Sequence, residues 1–346
     1  MIDLATRYMG LELKNPLVVS SCGLTKTVQG VKNAAEAGAG AIILKSLFEE
    51  QIAAEVAELT GYAAEAGHTE AFEYLQGYGQ ALGPREYLEL VSAAKQAVTV
   101  PVIASVNCIT EQRWAEYARQ LAAAGADGLE VNVGLLPNNA QLSSAEVDDR
   151  YVGILRAVRS EVDLPVALKV GPYISSFANL AARLGNDHVL RTGLRSPDEA
   201  LPAERRRADA LVLFNRFYRF DIDADKQQLA GGNPYSSSAE LHLPLHWIAL
   251  LAGRLDCDLA ATTGVHDGHD LVKQLLAGAT TVQVCSTLYR NGIGQIGLIL
   301  KQLEEWMRAH GYSRLDDFRG LLSQSRSDQP ASFERLQYIK ALVGIE

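Results

Sequence analysis

Eight short apolar runs separated by helical stretches set what this chain can fold into. The runs are Leu17–Ser21, Ala41–Ser46, Val100–Val106, Gly128–Asn132, Pro165–Val170, Ala208–Asn215, Asp258–Thr263 and Thr281–Ser286. Each has the length of a strand, is rich in Val, Ile and Leu, and lacks the alternation of a half-wet sheet, so each reads as a parallel strand buried on both faces. Helical spacing fills Val28–Ala37, Glu111–Ala124, Glu146–Glu161, Ser176–Leu184, Leu245–Arg254, Asp267–Ala277 and Ile293–His310. The repeated strand-then-helix order predicts an α/β fold, a (β/α)8 TIM barrel, with an open doubly wound sheet as the alternative. The junctions Ala37-Gly38-Ala39, Ala124-Gly125-Ala126 and Ala277-Gly278-Ala279 fall where helices must end, as glycine C-caps do.

With 346 residues, 48% of them hydrophobic, the chain is long enough for one large core, and residues 1–346 read as a single domain. A formal net charge of −9 argues against nucleic acid or an anionic membrane surface as partner. No apolar run is long enough to span a bilayer, and MIDLATRYMG lacks the apolar core of a signal peptide, so a cytoplasmic protein is expected. Cys22, Cys108, Cys257 and Cys285 form no CxxC pair, which leaves no zinc or iron–sulfur motif and suggests reduced thiols.

Along the chain, residues 3–14 read as a hairpin turning at Met9-Gly10 and plugging the barrel floor. The second and fifth strands end in Lys45 and Lys169; a lysine closing an apolar strand needs something polar at the C-terminal mouth, although a lysine snorkelling at the rim is the plainer alternative. Long loops over that mouth are expected at 48–85 and after Asn215-Arg216. A polar surface insertion is expected at 185–207 and a helical tail at 311–346. Thr262-Thr263-Gly264 and Cys285-Ser286 stand where barrels of this kind often hold a phosphate, or where ordinary helix capping takes place.

The succession NPLVVSS, LKS, LEVNVGLLPN, LKVGPY, LFN, TGVHDGHDLVKQLLAGATTVQV and GYSRLDDFRG resembles the class 1 dihydroorotate dehydrogenases, FMN-dependent (β/α)8 flavoproteins of pyrimidine synthesis. The likeness runs from about residue 3 to 322 and is strongest in the last third. It implies FMN across the mouth, with Thr263, Gly264, Cys285 and Ser286 at the phosphate and Ser21, Gly23, Ser105, Asn132 and Lys169 along the ring and ribityl chain. It implies Lys45 between flavin and substrate, a catalytic set of Lys45, Asn132 and Asn215, and substrate contacts from Asn138, Asn215 and Arg216. A homodimer comes with the resemblance, and the electrons could leave through an electron-transfer partner carrying an iron–sulfur cluster or directly to a soluble oxidant; both stay open.

The chain departs from that family at the substrate side. The family's Asn-x-Ser-Cys-Pro-Asn loop, whose cysteine is the general base, is replaced by Asn132-Val133-Gly134-Leu135-Leu136-Pro137-Asn138, and Gly134–Ser143 carries no Cys, His, Lys or Asp. A positioned base is typically worth about 10²–10⁴-fold. The family's Asn-x-Met-Gly run is here Tyr74-Leu75-Gln76-Gly77, and Arg216 stands where the family has a serine. The flavin side is thus the better preserved, and Arg216 with the two lysines suits a carboxylate-bearing small molecule. A flavin-binding accessory protein without turnover and a lysine Schiff-base aldolase on the same barrel are the competing readings.

Overall fold

The computed structural model describes residues 2–49, 85–108, 111–186, 207–217 and 219–335. Its centre is a closed ring of parallel strands. In chain order these are β3 (Leu17–Val19), β4 (Ala41–Ile43), β6 (Val102–Asn107), β7 (Gly128–Asn132), β8 (Val166–Val170), β9 (Ala210–Leu213), β12 (Asp258–Thr262) and β13 (Thr281–Val284). Each pairs with the next, and β13 returns to β3 through Val282 opposite Leu17. The two-residue β5 (Leu47–Phe48) extends the second strand along β6, and β10 (Phe220–Asp223) pairs antiparallel with β11 (Gln228–Gly231) between β9 and β12. The barrel, not the open sheet, is therefore the architecture.

The strands look uniformly apolar because both faces are buried, but the faces differ. Outward residues such as Leu17, Val19, Ile42, Leu129, Leu168 and Leu211 pack under the helices. Inward, Val18, Ala41, Ile43, Ile103, Ala167, Ala210, Val212 and Ala260 enclose the floor. The alanines leave room for a hairpin, β1 (Thr6–Tyr8) and β2 (Leu11–Leu13), whose Tyr8, Met9 and Leu13 fill the space. The Met9 amide donates to Asp258 Oδ2 at 2.8 Å, fixing the plug to the start of β12. Two residues higher on the same inner face the side chains become Ser20, Ser105, Glu130, Lys169 and Gln283, all buried.

Helices α1 (Val28–Glu36), α2 (Arg85–Ala97), α3 (Glu111–Ala123), α4 (Ser144–Glu161), α5 (Phe177–Gly185), α6 (His242–Leu251), α7 (Gly268–Ala277), α8 (Ser286–Asn291) and α9 (Gln295–His310) surround the ring. Thr27, Ser143 and Asp267 cap α1, α4 and α7 through side chains that accept from backbone N–H groups. Gly38, Gly125 and Gly278 have φ of 109°, 92° and 117°, so the three Ala-Gly-Ala junctions are left-handed turns that favour glycine.

Three expectations need correction. Sequence spacing names no helix between the second and third strands, yet α2 lies there; only Val91 and Ala94 are fully buried on it, too sparse a stripe to stand out. Helix α6 begins three residues before the predicted Leu245, because Pro244 is tolerated in a first turn whose N–H groups need no intrahelical partner. The tail from 311 is, as far as 335, mostly loop with two 3-10 turns and a helical turn at 331–335, anchored by Tyr312 and Phe318 around Trp306. Most of the 48–85 and 185–207 insertions, and the run Tyr74–Gly77, lie outside the described residues. No helix among the described residues is long and apolar enough to cross a membrane.

Candidate active site

The polar layer inside the barrel is built on Lys169. Its ammonium lies 3.6 Å from Glu130 Oε1 and within hydrogen-bonding reach of Ser20 Oγ (3.3 Å) and Gln283 Oε1 (3.4 Å). Gln283 in turn donates to Glu130 Oε2 at 2.7 Å and accepts from Ser20 at 3.2 Å. Four strands thus hold one cation in a fixed place, because leaving either charge unpaired at this depth would be costly. Ser20, Glu130 and Gln283 were not singled out in the sequence; a lone polar residue in a doubly buried strand gives no sign of which face it occupies.

Around this layer the first three strands carry a line of hydroxyls: Ser21 to Ser46 at 2.9 Å and Ser46 to Ser105 at 2.8 Å. Tyr87 of α2 locks the end of the line, its hydroxyl donating to the Ser105 carbonyl and accepting from the Ser105 amide, both at 3.1 Å. Across the mouth Asn215 Nδ2 donates to Asn132 Oδ1 at 2.9 Å. The structure thus gathers Ser21, Ser105, Asn132, Lys169 and Asn215 at one end of the barrel. Half-buried Lys45 holds its ammonium 4.4 Å from the centre of the Phe48 ring, and burial pushes its pKa down.

The loop after β7 behaves differently. It runs outward, with Leu136 53% exposed and Asn138 exposed, its amide turned back to the Leu136 carbonyl. Asn138 is not among the residues facing the cavity, a departure from its expected substrate role. Arg216 departs too. Its guanidinium is engaged by Glu240 (2.8 Å) and by the carbonyls of Asn233, Pro234 and Tyr235, so it clamps the loop beside it rather than waiting for a ligand carboxylate.

That loop, 233–240, lies over the expected phosphate end. Ser236 donates its amide to Ser286 Oγ at 3.0 Å, and its hydroxyl accepts from the Gly264 amide at 3.3 Å and meets His266 Nε2 at 3.3 Å. Thr263 and Gly264 both have φ of 79°, and a Cβ on Gly264 would lie 2.3 Å from the Leu241 nitrogen, so only glycine fits there. A cavity of about 210 Å³ lies between these groups and the polar layer, with Ser20, Ser21, Lys169, Asn215, Gly264 and Ser286 among its walls. A second of the same size continues from it past Asn215 and Thr263, walled by Tyr173, Phe217, Leu243 and Pro244.

Gly23 has a more particular place than a general approach to a flat ligand. A Cβ there would lie 2.7 Å from the Tyr289 hydroxyl, which reaches past it to the Cys22 sulfur. Cys285 meets the same sulfur from the end of β13.

The residues present suit a phosphorylated planar cofactor. At one end Gly264, Ser236 and Ser286 gather backbone N–H and hydroxyl groups, bonded to one another, a fixed cation sits beneath the middle, and a carboxamide pair stands at the other end. Fold and site together define a (β/α)8 barrel with a ligand cavity at the C-terminal ends of the strands. No protein-family model matches the chain. Among curated proteins it is 28% identical over 325 residues to the Methanosarcina mazei dihydroorotate dehydrogenase B (NAD(+)) catalytic subunit, covering 90% of this chain and 93% of that one. The catalytic subunits of the same name from Thermoplasma volcanium and Pyrococcus abyssi are 23% and 25% identical, over 93% and 92% of the chain and 99% and 98% of their own lengths. The chain is thus similar to dihydroorotate dehydrogenase B catalytic subunits along nine-tenths of its length.

Proposed function

We propose that this chain is an FMN-dependent oxidoreductase of the dihydroorotate dehydrogenase type, acting on a small carboxylate-bearing substrate altered from dihydroorotate. The observation that carries the reading is the contrast within one mouth. The cofactor side is an ordered set of Ser21, Ser105, Asn132, Lys169, Gly264 and Ser286, while residues 134–143 swing outward and contain no Cys, His, Lys or Asp. The relatives' names support the oxidoreductase class.

Bound in this mouth, FMN would accept the hydride. Gly264, Ser286 and the Thr263 turn would hold its phosphate, with Ser21, Ser105 and Asn132 along the ring. Glu130 and Gln283 keep the Lys169 cation beneath the ring, where positive charge favours the reduced, anionic form. Asn132 and Asn215 present a carboxamide edge to a substrate ring. With Arg216 committed to Glu240, Lys45 is the cation for a substrate carboxylate. Any proton taken from the substrate goes to a group outside 134–143.

The relatives are named catalytic subunits, which supports electron exit through a further protein chain. A homodimer and a cytoplasmic setting belong to the same reading, the latter in keeping with four free cysteines. The second reading, a flavin-binding protein without turnover, is favoured by the baseless loop alone. Lys169 is held by Glu130, Gln283 and Ser20 as a fixed cation, an arrangement unlike that of an aldolase nucleophile.

The test is the visible spectrum of the purified protein, followed by anaerobic addition of dihydroorotate and of related dihydropyrimidines. A flavin band that bleaches with an analogue and only slowly with dihydroorotate is expected. A band that nothing bleaches favours the accessory protein, and no band even after added FMN overturns the proposal.

A further inference from the structure

Cys22 and Cys285 lie on neighbouring strand ends, Cys22 just past β3 and Cys285 just past β13, which pair side by side through Val284 and Val19. The adjacent strand ends bring the Cys285 thiol beside the Cys22 sulfur, which accepts from the Thr25 backbone N–H and lies near the Leu24 N–H and the Tyr289 hydroxyl. Gly23 is the residue that lets Tyr289 in, since any side chain there would meet its hydroxyl. Lys45 is close enough to feel the charge on Cys22. These are the surroundings of a thiolate: three kinds of donor, a nearby ammonium and a second thiol in contact. At Cys257 burial outweighs the nearby Arg207 guanidinium and pushes the thiol up to about 12.

Nothing in the proposed hydride chemistry uses this pair as a pair. We propose that Cys22 and Cys285 form a peroxide-reactive dithiol at the wall of the cofactor cavity, in which Cys22 is the attacking sulfur and Cys285 the resolving one. The Cys22 thiolate attacks one oxygen of a hydroperoxide, the O–O bond breaks, and the alcohol, or water from hydrogen peroxide, leaves with a proton from solvent. Cys22 is then a sulfenic acid. The Cys285 sulfur attacks it, the S–S bond forms, and the hydroxyl leaves as water with the Cys285 proton. Two electrons pass from the two sulfurs to the peroxide, and a dithiol reductant reverses the change. Cys285 lines the cavity and Cys22, 7% exposed, lies behind it, so a small peroxide is the oxidant that suits the pair. The contact lowers the Cys22 pKa, chiefly through the Cys285 hydrogen bond, and raises that of Cys285, which fits the division of roles.

The experiment needs no variant to begin. Trypsin places the four cysteines in separate peptides, 15–26, 96–113, 255–273 and 274–290. The full-length protein is treated with hydrogen peroxide at neutral pH, quenched with a maleimide in denaturant, digested, and analysed by mass spectrometry with and without dithiothreitol. The expected product is 15–26 joined to 274–290, lost on reduction, with Cys22 consumed roughly tenfold or more faster than Cys257. Cys285→Ser should stop the reaction at a sulfenic acid on Cys22 that dimedone captures. No linked peptide after Cys22 has reacted, a link to Cys108 or Cys257 instead, or equal consumption of Cys22 and Cys257 would each overturn the proposal.

Discussion

A lysine held inside a barrel is only as stable as the carboxylate beside it. Lys169 and Glu130 share the polar layer with Ser20 and Gln283, and Glu130 is fully buried. Lys169→Met keeps the bulk but leaves Glu130 without a cation, and loss of one member of a buried pair costs about 3–5 kcal/mol. Adding Glu130→Gln to that variant should restore most of the loss, because a neutral amide needs only hydrogen bonds. Urea unfolding midpoints of the two variants and the parent measure this. If the double variant is no more stable than the single one, the ion pair is not what Lys169 contributes. This arrangement was only half legible in the sequence. Lys169 was conspicuous as a lysine ending an apolar strand, but Glu130 sits in GLEVN and Gln283 in TVQV, with nothing local to say that both turn inward toward it.

The loop from Asn233 to Glu240 is governed by Arg216, which ties it down through one carboxylate and three carbonyls. Three of those partners are backbone groups, which is why Arg216 reads in the sequence as a free cation for a substrate. Burial raises the pKa of Glu240, but hydrogen bonds from Arg216 and from the Ser237 amide outweigh it, and the net shift is downward. A carboxyl whose folded pKa is depressed contributes stability above its unfolded pKa, near 4.3, and loses it as pH falls through the lower folded value. The clamp should therefore hold at neutral pH and release in acid. Hydrogen exchange of residues 228–241 should be slow at pH 7 and speed up several-fold in Arg216→Ala, with the amides of β12 unchanged. Equal exchange in parent and variant would show that the loop is held by something else. Other elements were plain from the start: the eight strands, the floor hairpin and the glycine junctions follow from period, turn chemistry and helix capping. Helix α2 was not, because one turn of it after another shows charged residues around only two fully buried positions.

Taken as one body, the barrel offers the proposed FMN two separated anchor points, the turn at Gly264 and Ser286 and the polar layer around Lys169. A ligand bound only by the folded state stabilises it by about 2.7 kcal/mol at a concentration 100 times its dissociation constant. FMN should accordingly raise the melting temperature, and riboflavin, which has the ring without the phosphate, should raise it less at the same concentration. Equal shifts would remove the phosphate role from Gly264 and Ser286; no shift with either would remove the flavin.

The ring also closes between distant parts of the chain. Ser20 and Gln283, which meet across the β3–β13 seam, are 263 residues apart. At the usual pace of the ribosome, about 5–20 residues per second, the first barrel strand waits on the order of tens of seconds for its last neighbour to be made. Throughout that interval the growing protein displays Leu17, Val18 and Val19 as an unpaired apolar edge, the kind of edge that invites aggregation. Stalled nascent chains ending before residue 281 should be captured by holdase chaperones, and chains extended past residue 310 should escape them. What is sealed in the finished enzyme is, during its synthesis, the place where it most needs company.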